Sequence, residues 1–163
     1  LSKHFHFDTE SIIQQIKSIC LERPNEQWII TNSPRTPQEM NHALAQLDYP
    51  NLNFHDYKEG DIGQLQDILL KTSFTWLTPD SMSMIFEALT ADSQVGLIHC
   101  LPKNNKRIVK QIDSLISEGY VTTPKDKSIK SAQHNEFPWE ADRAAQWLLK
   151  QIQSCHIFQK SRQ

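Results

Sequence analysis

The sequence predicts an α/β fold, a Rossmann-like parallel sheet with helices on both faces. Two observations carry this. Short runs rich in β-branched and aromatic residues alternate with stretches whose apolar residues recur at helical spacing, at the short intervals expected where helices cross over between parallel strands. The chain is also 163 residues long, enough to bury the core of one domain. We expect that domain over residues 1–158, followed by a mobile tail over 159–163.

A first helix is expected after Asp8, running to about Glu22, because Ile12, Ile13, Ile16, Ile19 and Cys20 share one side and Arg23-Pro24-Asn25 stops it. The polar and aromatic segment before it contains no strand. The chain therefore reads as a piece of a longer protein, cut just after a first strand or its loop; proteolytic processing would give the same terminus. Gln27 to Thr31 reads as a strand. Thr36-Pro37-Gln38-Glu39 then carries the signals of a helix start, a threonine cap with proline at the first helical position and glutamate three after the cap, and Met40, Ala43, Leu44 and Leu47 form the apolar stripe. After Tyr49-Pro50-Asn51 come a strand over Leu52 to Asp56, a polar loop, and a helix from about Asp61 to Lys71.

Phe74 to Leu77 suits a buried strand, and a tight turn leads from it into a helix ending at Thr90, with Asp80 or Ser81 able to cap the first turn. On that helix Met82, Ile85, Phe86 and Leu89 fall on one side, flanked by Met84 and Ala88, while Ser83, Glu87 and Thr90 form the polar strip. Val95 to Cys100 reads as a further strand. A helix carrying Ile108, Ile112, Leu115 and Ile116 follows, ended by Gly119. Residues 120–138 are weakly patterned, with room for a short strand and a loop. Trp139 to about Cys155 reads as a final helix. Trp28 and Trp76 are expected in the core.

Composition narrows the function. Lys and Arg total 17 against 19 Asp and Glu, so no basic surface for nucleic acid and no polybasic membrane tail is indicated. The three cysteines, Cys20, Cys100 and Cys155, are far apart and fall inside expected elements, which fits free buried thiols in a reducing compartment. The histidines and cysteines lack zinc-ligand spacing, so no metal site is expected. No apolar run approaches a membrane span, and no signal peptide is visible; a cytoplasmic protein is expected.

In folds of this class ligands bind beyond the carboxyl ends of the strands. Those ends are Ser2/Lys3, Asn32 to Thr36, Tyr57 to Gly60, Thr78 to Ser83, and Leu101 to Arg107, and four of the five carry hydroxyls or basic groups suited to an anion. The helix that starts at Ser81 offers unpaired backbone N–H groups and the positive end of its dipole to a phosphate or diphosphate. Glu87 lies about one turn deeper, roughly 6 Å beyond Ser83, where a carboxylate can accept from the vicinal hydroxyls of a ribose. Structural roles are the alternative for each: serines near a helix start commonly cap it, and exposed lysines, arginines and glutamates are commonly solvated. No Gly-x-Gly-x-x-Gly or Walker motif is present, which also disfavours a sugar-nucleotide epimerase.

Thr31-Asn32-Ser33-Pro34-Arg35-Thr36-Pro37 and Thr78-Pro79-Asp80-Ser81-Met82-Ser83-Met84, taken together, resemble the mitochondrial fission protein family, which is widespread in bacteria and looks like GT-B glycosyltransferases. The resemblance covers about residues 2–149. Its wider relative is the donor-binding half of the enzyme that adds N-acetylglucosamine to the peptidoglycan lipid precursor. It implies the C-terminal domain of a GT-B-like protein, with a UDP-sugar or similar nucleotide-sugar as donor ligand and no separate cofactor. Carried over, Ser33, Arg35, Ser81, Ser83 and Lys3 lie at the diphosphate and Glu87 on the ribose. Asp56, Tyr57 and Gly60 frame the base, and Lys103 and Arg107 are further sugar or phosphate contacts. Two departures stand out: Pro34 occupies a position where relatives commonly place a basic residue, and Ala91-Asp92-Ser93-Gln94 replaces a glycine often found between the central helix and the next strand.

The acceptor-side domain that closes a GT-B cleft, and its usual catalytic base, are not in this sequence. The resemblance thus implies that this piece does not turn over alone, that its partners are a nucleotide-sugar and the missing N-terminal acceptor domain, and that any peripheral membrane association runs through that missing half. The exposed inter-domain face leaves room for a homodimer. A different class of function is also open, a non-catalytic interaction or recruitment domain that kept the fold.

Overall fold

The computed structural model describes residues 2–59, 62–103, 106–124 and 149. The chain divides into two compact units, Leu1–Gln133 and His134–Gln163, and every element below belongs to the first. The expected final helix lies almost wholly outside the described residues, Leu149 alone being seen, in helical conformation. Among the described residues no helix is long and apolar enough to cross a membrane.

Helix α1 (Thr9–Glu22) begins where the sequence places it, because the Asp8 carboxylate accepts the N–H of Ser11 at 3.1 Å. It buries Ile12, Ile13, Ile19 and Cys20. Its carboxyl end is closed by a buried residue thirty positions on: Asn51 Nδ2 donates to the carbonyls of Cys20, Arg23 and Glu26 at 3.4, 3.3 and 3.1 Å. Strand β1 (Trp28–Thr31) leads to α2 (Gln38–Ala45), β2 (Leu52–His55), a 3-10 turn (Tyr57–Glu59) and α3 (Ile62–Lys71). β3 (Phe74–Leu77), α4 (Met82–Thr90), β4 (Gln94–Leu97), α5 (Lys106–Ser117) and β5 (Val121–Thr122) complete the unit.

All strand pairs are parallel, as the alternation requires. They form two ladders, β1-β2 and β3-β4-β5. β4 is the deepest strand, with Val95 at 2 % and Leu97 at 3 % exposure, and α4 packs on β3 and β4 through Ile85 and Ala88, both fully buried. Gly96 of β4 lies opposite Trp76 of β3, and a Cβ there would stand 2.5 Å from Trp76 Cε3. Among the described residues the indole N–H groups of Trp28 and Trp76 are buried without an acceptor.

Three local expectations change. Thr36 does not cap α2: its hydroxyl accepts the N–H of Ser33 at 2.9 Å, so Pro37 takes the cap position without a side-chain bond. Neither Asp80 nor Ser81 caps α4, since Asp80 Oδ1 accepts the Thr78 hydroxyl at 2.7 Å and Ser81 makes no capping bond. Phe86 is 40 % exposed rather than inward, the buried residues of α4 being Ile85 and Ala88. After α4, Asp92 adopts φ 61°, the left-handed conformation that ends the helix; Gly119 does the same after α5 at φ 77°.

Candidate functional site

Parallel strands bring the loops that follow them to one edge, and polar side chains then join those loops. Asn32, at the end of β1, holds two neighbours: its Nδ2 donates to Asn41 Oδ1 of α2 at 2.9 Å, and its Oδ1 accepts the N–H of Tyr57 after β2 at 2.7 Å. The loop over Ser33 to Thr36 is a self-bonded turn in which the Ser33 hydroxyl accepts the N–H of Arg35 at 3.2 Å. From that turn Arg35 extends toward the loop after β3, its Nη2 4.0 Å from Asp80 Oδ2.

Asp80 is the electrostatic centre of this edge. Its side chain is 9 % exposed, it accepts from Thr78, it faces Arg35, and it stands close enough to Cys100 beyond β4 to act on its thiol. Burial, and then the Asp80 carboxylate, push Cys100 up to about 12, so that thiol is neutral at physiological pH. Cys20 is raised as well, by burial.

The loop after β4 is joined to the start of the chain. Lys103 donates through its backbone N–H to His4 O at 2.7 Å and through Nζ to Ser2 O at 3.1 Å, and His6 N–H donates to Leu101 O at 2.8 Å. A second clip holds the same region to α1: Gln15 Nε2 donates to His99 O at 3.0 Å while Gln15 Oε1 accepts the His99 N–H at 2.8 Å.

The residues expected at a diphosphate thus fall along one edge. Ser33, Arg35 and Ser81 lie on the β1 and β3 loops that the Arg35 and Asp80 contact joins, and the exposed Lys3 sits in the segment that Lys103 holds. Ser83 and Glu87 are exposed along α4. Asp56 and Tyr57 lie on the β2 loop tied to Asn32, with Asp56 Oδ1 accepting the Lys58 N–H at 3.0 Å; Gly60 lies outside the described residues. Arg107 lines a shallow depression along α5 with Lys110, Gln111 and Ser114. Among the described residues no three His, Cys, Asp or Glu side chains lie together as a metal site would require.

Sequence reasoning missed Asn32, Gln15 and Asn51 as the groups that fix this edge and the end of α1. Each reads as an ordinary polar residue, and each has a partner 25 to 84 positions away that no local pattern signals.

The chemistry available is that of an anion site. The first turn of α4 has no side-chain cap, so its N–H groups remain donors beside the hydroxyls of Ser81 and Ser83, with one guanidinium on the facing loop. No curated protein and no solved structure matched the chain. Residues 1–152 match the profile of the family described as mitochondrial fission ELM1, and with nearly the whole sequence covered, the chain belongs to that family.

Proposed function

We propose that this chain is the donor-nucleotide half of a GT-B-like glycosyltransferase, holding the diphosphate and ribose of a UDP-sugar or similar nucleotide-sugar. The observation that carries the reading is the joined strand-end edge: the loops after β1 and β3 meet through Arg35 and Asp80, next to the uncapped start of α4. On this reading the diphosphate takes the α4 N–H groups, Ser81, Ser83 and Arg35, and Glu87 accepts from the ribose hydroxyls. Chemistry in the whole protein is displacement at the anomeric carbon without a metal, the departing diphosphate being stabilised by a helix N-terminus and basic groups. The acceptor and the general base come from the N-terminal half.

The test is an NMR titration of the full-length protein and of this chain with UDP, GDP, ADP and CMP, repeated on Glu87→Ala. Shifts confined to Ser33, Asp56 to Gly60 and Ser81 to Glu87 are expected, and the substitution should weaken binding roughly ten- to a hundredfold, the worth of a hydrogen bond to a charged group. Absence of shifts in the full-length protein at millimolar ligand overturns the reading. That outcome would favour a recruitment domain, for which Phe86 at 40 % and Leu101 at 62 % exposure supply apolar surface.

A further inference from the structure

The edge that offers donors to an anion also carries a carboxylate. Asp80 lies in the loop after β3, just before the cap position of α4, and faces the loop after β1. Its side chain is 9 % exposed and fixed, Oδ1 accepting the Thr78 hydroxyl at 2.7 Å, and it does not cap the helix. An asparagine amide oxygen would accept the same hydroxyl. The local structure therefore accounts for the shape of this side chain and leaves its charge without a task.

That charge is only partly offset. Arg35 Nη2 stands 4.0 Å from Asp80 Oδ2 on a side chain 59 % exposed, where water screens the pair. The carboxylate still acts across the edge, since it adds to the rise of the Cys100 thiol beyond β4. Glu87 differs, because it is exposed along α4 and its charge is screened by solvent. A fixed negative charge beside uncapped N–H groups weakens every anion held there, and the most highly charged anion the most.

This ordering matters for glycosyl transfer. The bond between the anomeric carbon and the terminal phosphate oxygen breaks, and its electron pair stays on that oxygen. The acceptor oxygen takes its place on carbon and yields its proton to the general base. A donor with one charge on each phosphate thus leaves a nucleoside diphosphate whose terminal phosphate, now a monoester, loses a further proton at about pH 6. Helix N–H groups and a guanidinium alone would hold that product harder than the donor and block the site with it. We propose that Asp80 is the specificity-determining residue of this edge: its carboxylate repels the departing nucleoside diphosphate more than the incoming nucleotide-sugar, and so favours product release. The inference rests on the donor-nucleotide reading and adds to it a side chain that the ligand does not bind.

The test is calorimetric binding to the full-length protein, at about pH 8, of UDP and of its terminal methyl ester, which carries one charge fewer and no sugar to be recognised. Asp80→Asn should shift the ratio of the two affinities toward UDP by roughly three- to tenfold, the worth of one charge at about 10 Å when the effective dielectric lies between those of a protein surface and water. Asp80→Glu should keep the parent ratio. A merely structural role would weaken both ligands together and leave the ratio unmoved. An unchanged ratio in Asp80→Asn while both ligands bind overturns the proposal and leaves the donor site standing; an equal shift in Asp80→Glu also overturns it, since charge is then not the cause. If neither ligand binds the parent or Asp80→Asn at millimolar concentration, the donor reading fails and the proposal with it. Should Asp80→Asn melt early, Asp80→Ala takes its place in the same comparison.

Discussion

Replacing Gly96 by alanine should loosen the β3-β4 ladder by a definite amount. A Cβ at Gly96 would meet Trp76 Cε3, Cζ3 and Cδ2 at 2.5, 2.6 and 2.7 Å, against the 3.4 Å at which ordinary contact begins, so the indole must retreat by about 0.9 Å. It has little freedom to do so, because Trp76 is the cross-strand partner of Gly96 and is stacked on Phe74 at 5.5 Å between ring centroids. Overpacking of this size costs about 1–3 kcal/mol, and the lower chain entropy of alanine in the unfolded state offsets about 0.4–1 kcal/mol of it. A net loss of about 1–2 kcal/mol lowers Tm by roughly 2 to 8 °C for a chain of this size. Thermal melts followed by circular dichroism give the loss, and the indole N–H resonance of Trp76 reports the displacement. In a Trp76→Leu background the same Gly96→Ala change should cost almost nothing, a coupling of about 1 kcal/mol or more. An unchanged Tm with an unmoved indole resonance, or strict additivity in the double variant, would refute the packing argument.

Other substitutions probe the polar framework. Asn51→Ala should destabilise by about 1–3 kcal/mol in denaturant melts, because three carbonyls, two at the end of α1 and one in the turn after it, lose a buried donor; an effect below about 0.5 kcal/mol would mean that water replaces the amide. Asp92→Gly should stabilise by up to about 1 kcal/mol, since glycine adopts φ 61° without the cost paid by a side chain; a loss of stability would show that the Asp92 carboxylate matters more than its backbone. Native Cys100 should resist iodoacetamide at pH 8 until the protein unfolds, because its thiol is raised from 9.0 to about 12. The sign for stability follows: the neutral thiol's contribution is intact below about pH 9 and declines as pH rises toward 12, while Asp80→Asn should lower the Cys100 value and speed its alkylation.

Most of the fold was legible because it rests on local signals. Asp8 caps α1, Gly119 supplies the left-handed turn after α5, and the apolar runs at Phe74 and Leu52 are strands at the expected positions. The misreadings have a common cause. Ser81 occupies the α4 cap position without bonding there, Thr36 stands one residue before the α2 cap and found a competing partner in Ser33, and Asp80 was drawn to Thr78. Cap propensity describes a helix in isolation, whereas these residues sit in tight turns that offer a nearer donor. Phe86 failed for a geometric reason: an apolar arc on a helix wheel says which residues can face a sheet, and not how many of them do.

The polar residues of the site edge divide by what they already do. Asn32, Gln15, Thr36 and the Lys103 ammonium are engaged by specific protein partners, and a ligand would have to break those bonds to use them. Ser81 makes no capping bond, and Ser83, Glu87 and Lys3 are exposed. A structural reading of the serines as caps is weakened at its own point, since the α4 N-terminus has none. Arg35 lies between the two groups. At 59 % exposure and 4.0 Å its pairing with Asp80 is worth under about 1 kcal/mol, so it can turn from that carboxylate to a phosphate at small cost. Arg35→Ala should therefore leave Tm within about 2 °C of the parent while lowering diphosphate affinity, and a large loss of Tm would instead make Arg35 a structural clamp between the β1 and β3 loops.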